Sequence, residues 1–292
     1  MSVLRQLADH SDMNDYLWHL AYTAWTPELG PHSPQLRWRR AVRTVIAEAA
    51  DARRLYPTGS STRGTAIDGF SDVDHFVVMP GEPPTDADDA MHALHAAVSR
   101  ILGRANVSLV DAPSVTLVDP YDDGLLDFVP AYRHAQPGFL IYDAGESGYL
   151  ATDPLAHVAY VHSLGTYVRT LVRLFKSWKY AHCNKISSIY LEMFCASRAA
   201  PHATGDLLHD LIETFECLHI SKLQPPKDPC SQDGRLLHAG SNDTADLAEL
   251  RRKVEAALQE ARRIDWAVRS GAPVQGETYA AALLIAPGLP VL

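Results

Sequence analysis

The chain has 292 residues, 47% of them hydrophobic, enough to bury a substantial core as one bilobal unit or two packed domains. Its 35 acidic against 26 basic residues give a formal charge of −9, the wrong sign for an obligate nucleic-acid binder. No apolar run reaches the roughly 18 residues of a membrane span and the N-terminus has no signal-peptide layout, so the expected compartment is the cytoplasm.

An N-terminal helix is expected from about Val3 to Trp25, followed by a Pro- and Gly-containing loop through His32. A second helix starts at the Ser33-Pro34 cap and first-turn signal and is expected to run to about Leu55. Strands then cluster between 56 and 142, with one helix near Asp86 to Gly103 among them. The most informative stretch opens that region. Pro57-Thr58-Gly59-Ser60 leads through Gly64-Thr65 to Asp72-Val73-Asp74 on the apolar run His75-Phe76-Val77-Val78. A Gly-Ser turn opening a short helix offers unpaired backbone N–H groups and a hydroxyl to a phosphate. Asp72 and Asp74, two apart on a strand, point to one face, which suits a divalent cation beside that phosphate. His75 alternates to the other face and reads as packing.

Farther on, Ser114 to Val118 and Leu125 to Pro130 flank the turn 119–124 and read as a hairpin. Asp127 interrupts its apolar second strand, and an isolated carboxylate there is costly unless it is paired, for instance with Arg133, or holds a metal. From Asp153-Pro154 the chain reads as almost wholly helical. Between Thr166 and Ala181, Val168, Leu171, Val172 and Phe175 form an apolar stripe, with Arg169, Arg173, Lys176 and Tyr180 on an adjacent face. Three of the six lysines, Lys176, Lys179 and Lys185, lie within this stretch and just beyond it, and compact cationic side chains suit a polyphosphate. Ser187 and Ser188 open a further helix, where serine serves as a cap. A last helix is expected from about Thr244 to Arg269, and Ala286 to Leu292 reads as a tail. Cys183, Cys195, Cys217 and Cys230 lack Cys-x-x-Cys spacing and read as free thiols, so a zinc site at His182-Cys183 has little support.

Gly59-Ser60, Gly64-Thr65, Asp72-x-Asp74 and Asp127-Phe128-Val129-Pro130 together resemble the signature of the polymerase-beta-like nucleotidyltransferase superfamily. Lys176-Ser177-Trp178 and Ser188-Ile189-Tyr190-Leu191-Glu192 resemble elements of its cGAS/DncV-like branch, the CD-NTases, which make cyclic oligonucleotide second messengers in bacterial anti-phage defence. The resemblance covers most of the chain, and the Pro226 to Arg235 segment looks like the family's Asp-Pro loop, in which Asp228 reads as structural. Ile189 departs from the pattern, because the family often has a base-stacking tyrosine there.

The resemblance implies an α/β (α+β) fold in which a catalytic sheet packs against a mostly helical C-terminal half, with a long N-terminal spine helix. It divides the chain into a catalytic core at 1–150 and a helical domain at 151–292. It implies Asp72, Asp74 and Asp127 as catalytic ligands of Mg²⁺ (or Mn²⁺), and Gly59, Ser60, Thr65, Lys176, Lys179 and Ser188 as nucleotide-binding residues. Nucleoside triphosphates would be both donor and acceptor, with no obligate nucleic acid, no membrane, and room for a regulatory protein partner encoded in a defence operon. Transfer to another acceptor, such as an antibiotic, a protein or a transfer RNA, uses the same Gly-Ser and Asp-x-Asp parts, and a non-catalytic scaffold would need to have lost a carboxylate.

Overall fold

The computed structural model describes residues 3–24, 30, 32–103, 107–109, 114–121, 124–134, 137–143, 148–198, 200–231, 234–240 and 243–285. The tail expected at 286–292 lies outside them. The chain forms two compact units, Thr26–Tyr160 and Met1–Trp25 with Val161–Leu292. The sequence division at residue 150 differs from this in assigning the first helix, α1 (Val3–Thr23), to the catalytic core. The physical reason is the apolar face of α1: Met13, Leu17, Leu20 and Ala21 are buried, and the helix packs on helices of the C-terminal half.

The Thr26–Tyr160 unit is built on a seven-stranded sheet. Its strands are β1 (Arg54–Pro57), β2 (Val73–Val78), β3 (Val107–Leu109), β4 (Val115–Val118), β5 (Leu125–Arg133), β6 (Phe139–Asp143) and β7 (Gly148–Thr152). The order is β1-β2-β5-β4-β3, with β6 pairing the far half of β5 and β7 pairing β6. Among the described residues only β2 and β5 pair in parallel, and the β4–β5 hairpin expected from the sequence forms in the register Thr116↔Asp127.

One face of the sheet carries the core. Val77, Val115, Leu117, Leu126 and Phe128 meet Val42 and Ile46 of α2 (Pro34–Ala49) and Met91, Leu94 and Val98 of α4 (Ala87–Leu102). Buried side chains of this kind each contribute about 1.5–3 kcal/mol. Ser33 caps α2 as the sequence suggests, accepting from the Leu36 amide, and Asp86 caps α4 by accepting from the Asp88 amide. Helix α2 is shorter than expected. It ends at Ala49, Asp51 takes a left-handed φ of 47°, and Leu55 enters β1 because the turn delivers the chain to pair with β2. Helices α3 (Gly59–Arg63) and α5 (Pro154–Ser163) complete the unit, the latter carrying the chain onward.

The other unit is helical: α1 with α6 (Gly165–His182), α7 (Ser188–Arg198), α8 (Leu207–Ile220), α9 (Thr244–Arg269) and α10 (Pro273–Leu284). Helix α6 is its axis, buried continuously from Thr170 to Lys179, with Phe175 and Trp178 packed on Phe215 of α8 at ring-centroid distances of 4.4 and 5.1 Å. No helix among the described residues is long and apolar enough to cross a membrane.

Candidate active site

Alternation along β2 sorts its side chains. His75 and Val77 turn to the helix-covered core, and His75 stacks on its register partner Phe128 at 5.2 Å. Asp74, Phe76 and Val78 turn to the opposite face, where Phe76 and Val78 pack with Ala131 and Phe139. Asp74 and Asp127 are Cα partners across the parallel β2–β5 pair, so their carboxylates stand side by side at about the 4.8 Å strand spacing. Asp72, one residue ahead of β2, keeps the parity of Asp74, and all three carboxylates are partly buried.

Gly59 closes the site from the β1 side. The Thr58 amide donates to the Asp74 carbonyl at 2.9 Å, extending the β1–β2 pairing to the start of α3. Gly59 has a φ of +74°, and a Cβ placed on it would fall 1.7 Å from Asp74 Oδ2. The Asp74 carboxylate therefore lies against bare backbone, which only glycine permits. Ser60 follows in the first turn of α3, and Gly64, in the left-handed region, ends the helix. Thr65, which the sequence groups with the nucleotide-binding residues, is fully buried. Its amide donates to the Ser60 carbonyl at 3.0 Å, so it backs the loop from behind.

Asp127 is held by two hydroxyl residues. Thr116 Oγ1 donates to Asp127 Oδ1 at 2.5 Å, and Ser114 lies 3.5 Å from Thr116 in the same row. Burial pushes the Asp127 carboxyl above its ordinary range, while hydrogen bonds from Thr116 and Ser114 oppose the shift. Arg133, its alternative partner from the sequence, instead reaches the Tyr56 hydroxyl and lies over the Phe139 ring. Asp74 and Asp127 suit a hard divalent cation: both offer carboxylate oxygens from partnered positions on one sheet face, and the missing Cβ at residue 59 leaves room for the Asp74 carboxylate beside backbone. A cation between two neighbouring carboxylates removes the cost of their repulsion.

In the helical unit, Lys179 Nζ donates to Ser188 Oγ at 2.6 Å, joining two of the sequence-selected residues. Lys176 is 1% exposed and its ammonium lies 3.3 Å from Glu192 Oε1, itself fully buried. Lys185 stands apart, exposed and paired with Asp246. Of the two serines, Ser187 caps α7 by accepting from the Tyr190 amide, leaving Ser188 to face Lys179. Tyr190 is fully buried against Phe194 and offers no face to a base in place of Ile189. Asp228 is buried, ion-paired to Arg235 at 2.6 Å and bonded to the Cys230 amide, the structural role expected of it. His182 Nε2 lies within hydrogen-bond reach of the Ala282 and Leu283 carbonyls, and the four cysteines form no disulfide.

No family model and no curated protein matches the sequence. Solved structures match its fold. CdnC of E. coli, solved with ATP, has a TM-score of 0.68 at 17% identity, over 95% of this chain and 99% of that one. CdnG of Bradyrhizobium diazoefficiens, in complex with GTP, has a TM-score of 0.70 at 16% identity, over 92% of this chain and 97% of that one. Vibrio cholerae DncV, described as a cyclic AMP-GMP synthase and prokaryotic cGAS homolog, has a TM-score of 0.63 at 14% identity, over 97% of this chain and 89% of that one. The chain has the CD-NTase fold.

Within this CD-NTase fold, the sequence reading overlooked Ser114 and Thr116 as site residues. The available signal was their parity: both lie in the row that faces Asp127 once the hairpin register is known. It also overlooked Asp119, buried at the hairpin turn of the CD-NTase sheet and bound to Gln35 and Arg39 of α2.

Proposed function

We propose that this chain joins nucleoside triphosphates by metal-dependent nucleotidyl transfer, and that its product is a cyclic di- or oligonucleotide second messenger for anti-phage defence. The observation that carries the reading is the register pairing of Asp74 with Asp127 beside the Gly59–Asp74 contact. The likeness to structures solved with ATP or GTP supports it. CdnC is also solved in complex with HORMA, which supports a regulatory protein partner here.

Asp72, Asp74 and Asp127 would hold Mg²⁺ or Mn²⁺, which when bound neutralises triphosphate charge and lowers the pKa of the attacking ribose hydroxyl. Asp127, fixed by Thr116, orients that hydroxyl toward the α-phosphorus. The new bond forms from the hydroxyl oxygen to phosphorus as the hydroxyl proton passes to the Asp127 carboxylate and the α–β phosphoanhydride breaks, and pyrophosphate leaves in line. Gly59 and Ser60 would present backbone N–H groups to the phosphates. Catalysis is then chiefly positioning and charge stabilisation.

The test is incubation of the protein with labelled ATP, GTP, CTP and UTP, singly and mixed, with Mg²⁺ or Mn²⁺. A phosphatase-resistant product is expected, because a ring exposes no terminal phosphate, and the Asp72→Asn, Asp74→Asn double variant should make none. Turnover at the wild-type rate in that variant would sink the site assignment. A nucleotide attached to an added antibiotic, transfer RNA or protein, with the triphosphates alone unreacted, would replace second-messenger synthesis by transfer to a foreign acceptor.

A further inference from the structure

Among the described residues of the sheet unit, Asp119 is the most completely enclosed carboxylate outside the candidate site. It is fully buried, and its Oδ2 accepts from Arg39 Nε at 2.5 Å and from Gln35 Nε2 at 3.0 Å, both on α2. Its Oδ1 accepts from the Tyr121 amide at 3.0 Å, and its own amide donates to the Gly124 carbonyl at 2.7 Å. One side chain therefore closes the β4–β5 turn and ties it to α2.

Parity makes this tie consequential. Asp119 continues the row of Val115 and Leu117 that faces α2, whereas Thr116 and Asp127 lie on the opposite face. Closing the turn at Asp119 and Gly124 sets the pairs Val118↔Leu125 and Thr116↔Asp127, and a slip of one residue would carry Asp127 into the apolar core. Helix α2 thus holds the turn that leads into β5, and its Val42 and Ile46 share one buried apolar cluster with Val77 of β2 and with Leu126 and Phe128 of β5.

We propose that Arg39 is a positioning residue for the metal-binding carboxylates: by clamping Asp119 it fixes the hairpin register and with it the placement of Asp127 beside Asp74. The inference rests on the proposed nucleotidyl transfer for its kinetic readout, and on divalent-cation affinity for an independent one.

The experiment compares wild type, Arg39→Lys, Arg39→Met, and Arg39→Met combined with Asp119→Asn. Arg39→Met should lower kcat by about tenfold or more with KM for nucleoside triphosphate within about twofold, as when positioning rather than ground-state binding is lost. It should also weaken Mn²⁺ binding to the nucleotide-free protein, measured by electron paramagnetic resonance, and Arg39→Lys should recover most of both. The double variant removes the lone buried charge and should regain the unfolding midpoint without regaining kcat or Mn²⁺ affinity. A purely structural role predicts that kcat and Mn²⁺ affinity return together with the midpoint. Recovery of kcat and Mn²⁺ affinity together with stability in the double variant would overturn the inference, as would wild-type values in folded Arg39→Met. A wild-type protein that transfers no nucleotide yet shows the Arg39-dependent Mn²⁺ affinity would instead count against the proposed reaction and leave the clamp standing.

Discussion

At Gly59 a single hydrogen decides whether the site can form. The left-handed φ and the 1.7 Å approach of a would-be Cβ to Asp74 Oδ2 are separate obstacles to any side chain. Gly59→Ala is expected to displace the Asp74 carboxylate, lowering product formation by on the order of 10²-fold, while left-handed strain costs about 1–2 kcal/mol of stability. Product assays beside urea unfolding check this, and full activity in the alanine variant would mean that Asp74 is not held as described. At Asp127, replacement by Asn should leave donor triphosphate binding intact but cut transfer by on the order of 10². Thr116→Val keeps the strand's branched shape, removes the donor at 2.5 Å, and should lower transfer less than Asp127→Asn does. Equal losses of binding and turnover in Asp127→Asn would make that carboxylate structural. Asp72 and Asp74 stand out in the sequence only in combination: two acids at period two on an apolar strand also suit a solvated edge, and the Gly-Ser turn just upstream is what points to a metal site. Thr116 does not stand out: threonine also favours strands for its shape alone, and nothing local marks its hydroxyl as bonded to a residue 11 positions away.

Secondary structure was read from local signals where these were strong. The cap at Ser33 marks a start that the structure keeps, and the helices expected near Asp86 to Gly103 and from Thr244 to Arg269 form as α4 and α9. The end of α2 was misread because Asp51, Ala52 and Arg53 break no helical pattern, and pairing of β1 with β2 overrides propensity there. Helix α6 carries a related lesson. Its cationic face suggests solvent, yet Arg173, Lys176 and Lys179 are all buried, since α6 is enclosed by neighbours that no amphipathic pattern reveals. Strand β2 gives a pH prediction. His75 is 3% exposed, and burial first, then Arg43, lower its pKa from 6.5 to about 4. Its Nδ1 has no hydrogen-bond partner, consistent with a ring kept neutral. Between those two values the unfolded chain takes up a proton that the folded chain refuses, so stability present above pH 6.5 is lost as pH falls toward 4. The loss is on the order of 3 kcal/mol across the window. His75→Phe, which keeps the stack on Phe128, should flatten that part of the stability–pH curve in chemical unfolding with metal removed. An unchanged slope would place the acid sensitivity elsewhere.

For the molecule as a whole, the mixed fold and the order of its sheet-forming and helical halves were legible from the change of periodicity near Asp153-Pro154. The grouping of α1 was not. A helix at the start of the chain presents the same apolar stripe whichever core it joins, and only the packed structure shows that its partners are α6, α8, α9 and α10. Sequence-distant contacts confirm the grouping: Asn14 Oδ1 accepts from the Leu208 amide at 3.1 Å, and a Cβ at Gly276 would meet Met13 Cε at 3.0 Å. Leu17 is fully buried in this arrangement, so Leu17→Ala should cost about 2–5 kcal/mol through lost burial and the cavity left behind. Because the first and last segments of the chain share one unit, that loss should be local. Native-state hydrogen exchange of the variant is expected to quicken for core amides of α6, α8, α9 and α10, while amides of β2 and β5 keep their wild-type protection. Faster exchange confined to β2 and β5 would return α1 to the sheet unit, and equal acceleration everywhere would mean that the two units unfold as one.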